Sequence, residues 1–153
     1  MAIDDSGEWW VGSEPADIQP YLAALTKAEG GYVATAFRQI RCPCGSDRFE
    51  LLRASDVTLR TCASCGSSKF ICREAEDWEE AEADEGAEAY SCVECEAKEA
   101  NITVGFALYD QNPEIDAVKW FYVGVRCSEC GILGCFNDGK VASGPADDVY
   151  DCI

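Results

Sequence analysis

Apolar residues alternate with small or polar ones at Ile102, Val104, Phe106 and Leu108, and again at Phe121, Val123 and Val125. The connection 110–117 between them holds the turn-initiating Asn112-Pro113, so the pattern predicts a long β-hairpin with one buried face. Trp120 and Tyr122 lie on the opposite face of the return strand, suited to a second layer or to a partner. Residues 32–41, rich in Tyr, Val, Thr, Phe and Ile, predict a strand leading into Cys42, and 49–52 with 57–60 predict a shorter hairpin around the polar stretch 53–56. One segment has helical spacing, at Ile18, Tyr21, Leu22 and Leu25. With Ser13 as cap, Pro15 in the first turn, Glu14 and Asp17 set against the helix dipole, and Gly30-Gly31 as a stop, it predicts a helix over about residues 15 to 29. Trp9 and Trp10 are expected to pack beside it as core or interface filling.

Composition changes this picture in two ways. The chain is 48% hydrophobic over 153 residues, but 11 of those residues are cysteines. The aliphatic and aromatic core is therefore thin, and something else must supplement it. The formal charge is −17, with 29 acidic residues against 12 basic ones. Such a field repels phosphate backbones and draws basic proteins, although the same acidity with little lysine also fits a salt-adapted or GC-rich source. Nine acids fall in residues 74–90, which predicts a solvated, extended linker, with Trp78 suited to anchoring on a basic, apolar surface. Arg38, Arg41, Arg48, Arg53 and Arg60 form the local basic cluster, read as outer strand faces that balance the acids. Residues 1–20 show no basic leader or apolar run, so a reducing, cytoplasmic setting is expected. Stretches such as 120–125 fall far short of the roughly 18 to 20 apolar residues of a membrane helix.

The cysteines come in pairs: Cys42-Pro43-Cys44-Gly45, Cys62-Ala63-Ser64-Cys65-Gly66, Cys92-Val93-Glu94-Cys95 and Cys127-Ser128-Glu129-Cys130-Gly131. A two-residue spacing lets both sulfurs reach one tetrahedral ion from a tight turn, and a following glycine tolerates the left-handed backbone that ends it. Over residues 42–66 and 92–131 the sequence resembles the zinc ribbon class, in which two such knuckles meet across a β-hairpin. Together with the helix read from spacing, the resemblance implies a mainly β fold with one N-terminal helix and two zinc-ribbon-like hairpin modules. It implies two structural Zn²⁺ sites, one on Cys42, Cys44, Cys62 and Cys65 and one on Cys92, Cys95, Cys127 and Cys130. Spacing alone also permits a cross-braced arrangement in which Cys62 and Cys65 share a metal with Cys92 and Cys95. Two departures from the class stand out: the first knuckle is one residue short, and Glu96 follows Cys95 where the others have glycine. The expected organisation is 1–31 as N-terminal segment and helix, 32–73 as first ribbon, 74–90 as acidic linker and 91–153 as second ribbon. Cys72, Cys135 and Cys152 remain, read as small buried hydrophobes, with Cys135 as the substitute ligand.

The chain has no histidine, which removes the commonest general base and the most frequent ligand of catalytic zinc. It has no P-loop, dinucleotide fingerprint or nucleophile elbow, and four thiolates close a zinc shell, so no enzyme and no small-molecule substrate are expected. The leading expectation is a zinc-stabilised acidic module that binds a basic protein, a profile similar to that of bacterial immunity proteins that neutralise a toxin. A thiol-redox or rubredoxin-like electron carrier, and a zinc-ribbon regulator acting on nucleic-acid machinery through protein contacts, are the alternatives.

Overall fold

The computed structural model describes residues 3–4, 6–7, 9–29, 32–71, 75–108 and 118–140. Strands β1 (Ile3–Asp4) and β2 (Val11–Gly12) form a small ribbon, followed by a 3-10 turn at Pro15–Asp17 and helix α1 (Ile18–Ala28). The rest is dominated by one eight-stranded antiparallel sheet: β3 (Ala36–Gln39), β4 (Phe49–Ala54), β5 (Val57–Cys62), β6 (Ser68–Ile71), β7 (Glu88–Ala89), β8 (Glu99–Leu108), β9 (Val118–Cys127) and β10 (Leu133–Lys140). A second helix, α2 (Ala75–Glu85), lies between β6 and β7.

The strand path is β10-β9-β8-β4-β5-β6. β8 and β4 pair at Phe49↔Ala100 and Glu50↔Glu99 and then diverge. Beyond that point β3 takes the vacated edge of β8, from Ala36↔Phe106 to Gln39↔Thr103, and β7 takes that of β4. The sheet thus opens into two leaves, β3-β8-β9-β10 and β7-β4-β5-β6. Their inner faces share one apolar cluster, in which Phe49, Leu51, Ile71 and Tyr90 meet Ile102, Val104, Phe106, Phe121, Val123, Val125 and Phe136. The register sets Ile102 against Val125, Val104 against Val123 and Phe106 against Phe121, as the alternation requires. At the far end of the leaves the Arg53 guanidinium lies 4.9 Å from the Phe136 ring centroid and donates to the Phe136 carbonyl, while Asn137 Nδ2 donates to Thr58 Oγ1 at 3.0 Å.

The outer face of β8 and β9 carries α1. Ile18 and Leu22 pack with Ala34, Ala107, Tyr122 and Leu133, with Trp120 partly buried alongside. The helix approaches closely because glycines lie beneath it: a Cβ on Gly124 would fall 2.6 Å from Ile18 Cγ2 and 2.7 Å from Leu22 Cδ1. Tyr122 donates its hydroxyl proton to the Tyr32 carbonyl, and Trp120 donates to Asp138 Oδ2 at 2.9 Å. The face that Trp120 and Tyr122 mark is therefore covered from within the chain. Trp10 packs edge-on against Tyr21 with ring centroids 5.8 Å apart. The cap of the 3-10 turn is Glu14, not Ser13; the buried Asp17 carboxylate reaches back to accept the backbone N–H groups of Ser13 at 2.8 Å and Glu14 at 3.2 Å. Gly30-Gly31 and the connection with Asn112-Pro113 lie outside the described residues.

The expected fold class is corrected by this architecture. Among the described residues the chain is mainly β, but with two helices rather than one, and one large sheet with a shared core stands where two zinc-ribbon-like hairpin modules were expected. The physical reason is the thin core: neither hairpin has enough apolar surface to close alone, and facing the leaves buries Phe49, Phe106 and Phe121 at roughly 2 to 3 kcal/mol each. The acidic stretch, expected to be extended, forms α2 instead. Alanine and glutamate are strong helix formers, Trp78 packs on Phe70 of β6 with ring centroids 5.8 Å apart, and Asp77, Glu79, Glu80 and Glu82 stay in solvent. Gly86, at φ +75°, ends the helix with its N–H on the Glu82 carbonyl.

Gly124→Ala is expected to lower stability by about 1 to 3 kcal/mol, because its methyl group overlaps Ile18 and Leu22. A urea midpoint that falls at unchanged slope checks this; an unchanged midpoint would mean that α1 does not sit on the sheet as described.

Candidate metal centres

Each of the four cysteine pairs lies in a tight turn at one end of the sheet. In the three C-x-x-C turns the first cysteine's carbonyl accepts the N–H of the residue four positions on: Gly66 to Cys62 at 3.0 Å, Glu96 to Cys92 at 3.1 Å and Gly131 to Cys127 at 3.0 Å. Its own N–H then bonds the carbonyl five positions on, at Ser67, Ala97 and Ile132. The Cys42-Pro43-Cys44 turn forms the same pair of bonds with one residue fewer, through Gly45 and Ser46. The short knuckle is thus a contracted version of the same turn. Gly45, Gly66 and Gly131 have φ of +96°, +76° and +82°, and Glu96 takes the same left-handed position at +63°. A side chain is tolerated there at some strain, and its spacing carried no glycine to reveal it.

The turns meet in sequential pairs. The sulfurs of Cys42, Cys44, Cys62 and Cys65 all lie within 4.8 Å of one another, as do those of Cys92, Cys95, Cys127 and Cys130. The closest contacts run crosswise, Cys42 to Cys65 at 3.4 Å, Cys44 to Cys62 at 3.6 Å, Cys92 to Cys130 at 3.4 Å and Cys95 to Cys127 at 3.4 Å. A tetrahedral shell with Zn–S near 2.3 Å sets its sulfurs about 3.8 Å apart, so these donor sets fit one thiophilic ion each with small adjustment. The cross-braced alternative is not the arrangement found. In every turn the first cysteine is buried and the second exposed, which places each group at the sheet surface with one flank in the core.

Electrostatics distinguish the sulfurs. Cys62 is drawn down to about 6, chiefly by the backbone N–H of Cys65 and against the opposing effect of burial. Burial also opposes ionisation of Cys127, but the N–H groups of Cys130 and Glu129 outweigh it and bring it to about 7. Cys130 is pushed up to about 12, first by burial and then by sharing its proton with the neighbouring sulfurs. Four thiolates at this spacing repel one another, and a cation among them is what would let all four ionise. Around the first group the buried Arg60, whose guanidinium lies 5.1 Å from the Phe49 ring centroid, faces Cys42 and Cys62. Around the second, the Tyr90 hydroxyl hydrogen-bonds to Cys127; its burial, with the negative sulfurs beside it, keeps it protonated far above the usual phenol range. Neither Arg60 nor Tyr90 had a spacing signal that tied it to a cysteine group.

Cys135 does not join either group. It lies on β10 with its sulfur 3.4 Å from the Asn137 carbonyl, and burial, with Asp138 and Glu29 nearby, pushes its thiol up to about 12. Cys72 and Cys152 lie outside the described residues. The basic cluster is largely engaged within the chain: Arg48 pairs with Glu99 at 3.2 Å and Glu129 at 3.3 Å, Arg53 with Glu88 at 3.1 Å, and Arg60 is buried. No helix among the described residues is long and apolar enough to cross a membrane.

Because each thiolate must lose its proton before it can hold a metal, affinity should fall about tenfold per pH unit for each proton displaced. Metal retained against a fixed chelator should therefore drop steeply between pH 8 and pH 6, with a shallower contribution from Cys62 and Cys127, whose protons are already weakly held. Flat retention across that range would show that the thiols are not the donors.

No protein-family model, curated protein or solved structure matches the chain, so the reading of these centres rests on the geometry and chemistry of its own residues.

Proposed function

We propose that this chain is a non-enzymatic, zinc-stabilised module that binds a basic protein through an acidic surface with an aromatic anchor. Zinc suits the two donor sets because four thiolates close a tetrahedral shell around an ion with no redox chemistry. A closed shell leaves no position for substrate, and the chain supplies no histidine as acid or base. The role of the metals is then to hold the sheet, where each contributes on the order of 10 kcal/mol in small domains of this kind.

The observation that carries the binding role is Trp9. It is 40% exposed, with Nε1 donating to Glu94 Oε1 at 3.1 Å, and it stands between two clefts. One, of about 290 Å³, is lined by Tyr90, Val93, Leu133 and Phe136; the other, of about 250 Å³, by Trp10, Tyr21, Leu25 and again Leu133. Val93, 63% exposed, extends the apolar strip. Glu94 lies at its margin, as does Glu88, which is paired there with Arg53 at 3.1 Å, and the whole chain carries −17, a charge that zinc on four thiolates deepens by about two per site. A partially exposed tryptophan between apolar pockets, on a strongly acidic chain and with Glu94 beside it, is the chemistry that takes an aromatic or aliphatic side chain from a basic partner. Nucleic acid fits poorly, since the overall charge repels it and Arg48, Arg53 and Arg60 are engaged within the fold. A small acidic protein that neutralises a basic toxin, as bacterial immunity proteins do, has this profile.

Elemental analysis is expected to find two zinc ions per chain and no visible absorption band; iron would turn the reading to electron transfer. A partner recovered from cells should be basic, should elute with salt, and should bind Trp9→Ala roughly tenfold or more weakly. A salt-insensitive complex with an acidic protein, or one indifferent to Trp9, would sink the proposed surface.

A further inference from the structure

We infer that the two four-cysteine groups take up metal as one cooperative pair, so that filling either raises the affinity of the other. The inference rests on the metal reading above and adds a coupling that the donor sets alone do not imply.

The coupling follows from the register. Cys62 pairs with Phe49, Phe49 with Ala100, and Ala100 with Cys127, so one residue row crosses β5, β4, β8 and β9 and carries a cysteine at each end. With strands about 4.8 Å apart, the two cysteine backbones are about 14 Å from one another. The two central strands pair only at this row and the next, beside the turns. The turns themselves extend the connection, since Ala63 N donates to the Arg48 carbonyl at 3.0 Å, and Ser128 N and Oγ donate to the Glu99 carbonyl at 3.2 and 2.9 Å.

Side chains join the two ends directly. Asn101, buried on β8, donates to the Asp47 carbonyl at 2.9 Å, which fixes the loop between the first cysteine turn and β4. Its Oδ1 accepts from Arg126 at 2.9 Å, one residue before Cys127. Arg48, which follows the first turn, reaches Glu129 inside the last one. A metal in the first group fixes the ends of β4 and β5, and this chain of bonds then holds β8 and β9 at the positions the second group needs. Because the ordering is shared, whichever ion binds second meets a partly ordered site, and linkage makes the effect reciprocal.

The experiment titrates the metal-stripped, reduced full chain with Zn²⁺ to an average of one ion per chain and counts species by native mass spectrometry. Independent sites, equal or unequal, leave at least about half the chains with one ion. The expected result is mainly metal-free and two-zinc chains, with the one-zinc species well below that fraction. Asn101→Ala is expected to raise the one-zinc fraction toward half while two ions still bind at saturation; should that variant fail to reach two ions, the exposed Arg48→Ala takes its place with the same expectation. One-zinc chains at half or more in the unaltered protein would overturn the coupling, and a cooperative distribution that neither variant moves would overturn its route through Asn101 and Arg48. A chain that takes up no zinc at all would instead overturn the metal reading beneath it.

Discussion

The turns that carry the cysteines are also the turns that make the sheet. β4 and β8 begin just after the first and third cysteine pairs, β5 and β9 end in the second and fourth, and β6 and β10 start from the latter two. Four sulfurs cannot all ionise in a space this small unless a cation lies between them, so an ion bound there would also fasten together the strand ends that the turns bring to meet. Elsewhere the sheet depends on side-chain packing between leaves. At this end it depends on sulfur and on backbone hydrogen bonds, with Arg60 and Tyr90 moderating the charge from behind.

That division explains how a chain with a modest apolar core sustains strands of ten residues. β8 and β9 are buried on both faces, one by the opposing leaf and the other by α1. The inner face uses branched and aromatic side chains in register. The outer face uses Gly105 and Gly124, which surrender side-chain volume so that Leu22 and Ile18 can reach the backbone. Gly131 serves the same end by another route: a Cβ there would fall 2.5 Å from the Gly12 carbonyl, so only glycine lets the last cysteine turn dock against β2.

Features with a local cause were legible in the sequence. The helix at 15–28 follows from its spacing and Pro15, the long hairpin from strict alternation, and the pairing of cysteines within each knuckle from turns whose bonds close within five residues, whereas spacing left open which knuckles meet. What was not legible depends on contacts distant in sequence. Phe49 and Ala100 carry no mark that they will pair, yet that pairing turns two expected modules into one sheet. In 75–85 the count of acids suggested a solvated strand of chain, whereas helix propensity and a single aromatic contact, Trp78 on Phe70, decide the outcome. Glu96 shows the opposite failing, because the expected glycine is missing and the left-handed turn forms regardless.

The basic residues complete the argument, because their placement determines what the surface offers. Four arginines act as joints: Arg48, just after the first cysteine turn, binds Glu99 and Glu129 beside the second group, Arg53 closes the far end of the leaves on Phe136 and Glu88, Arg126 holds Asn101 and the Gly12 carbonyl, and Arg60 is buried behind thiols. Lys27, Arg38, Arg41, Lys69 and Lys98 stay exposed, and the exterior remains acidic because the acids outnumber the bases by 29 to 12. On the proposed reading, zinc sharpens this further, since the four thiols ionised at a site together add more negative charge than the ion returns, a net of about −2 per site. A basic partner would then favour the loaded form, and by reciprocity would strengthen the hold on the metals, so that the field that recruits the partner and the bonds that hold the sheet draw on the same sulfurs.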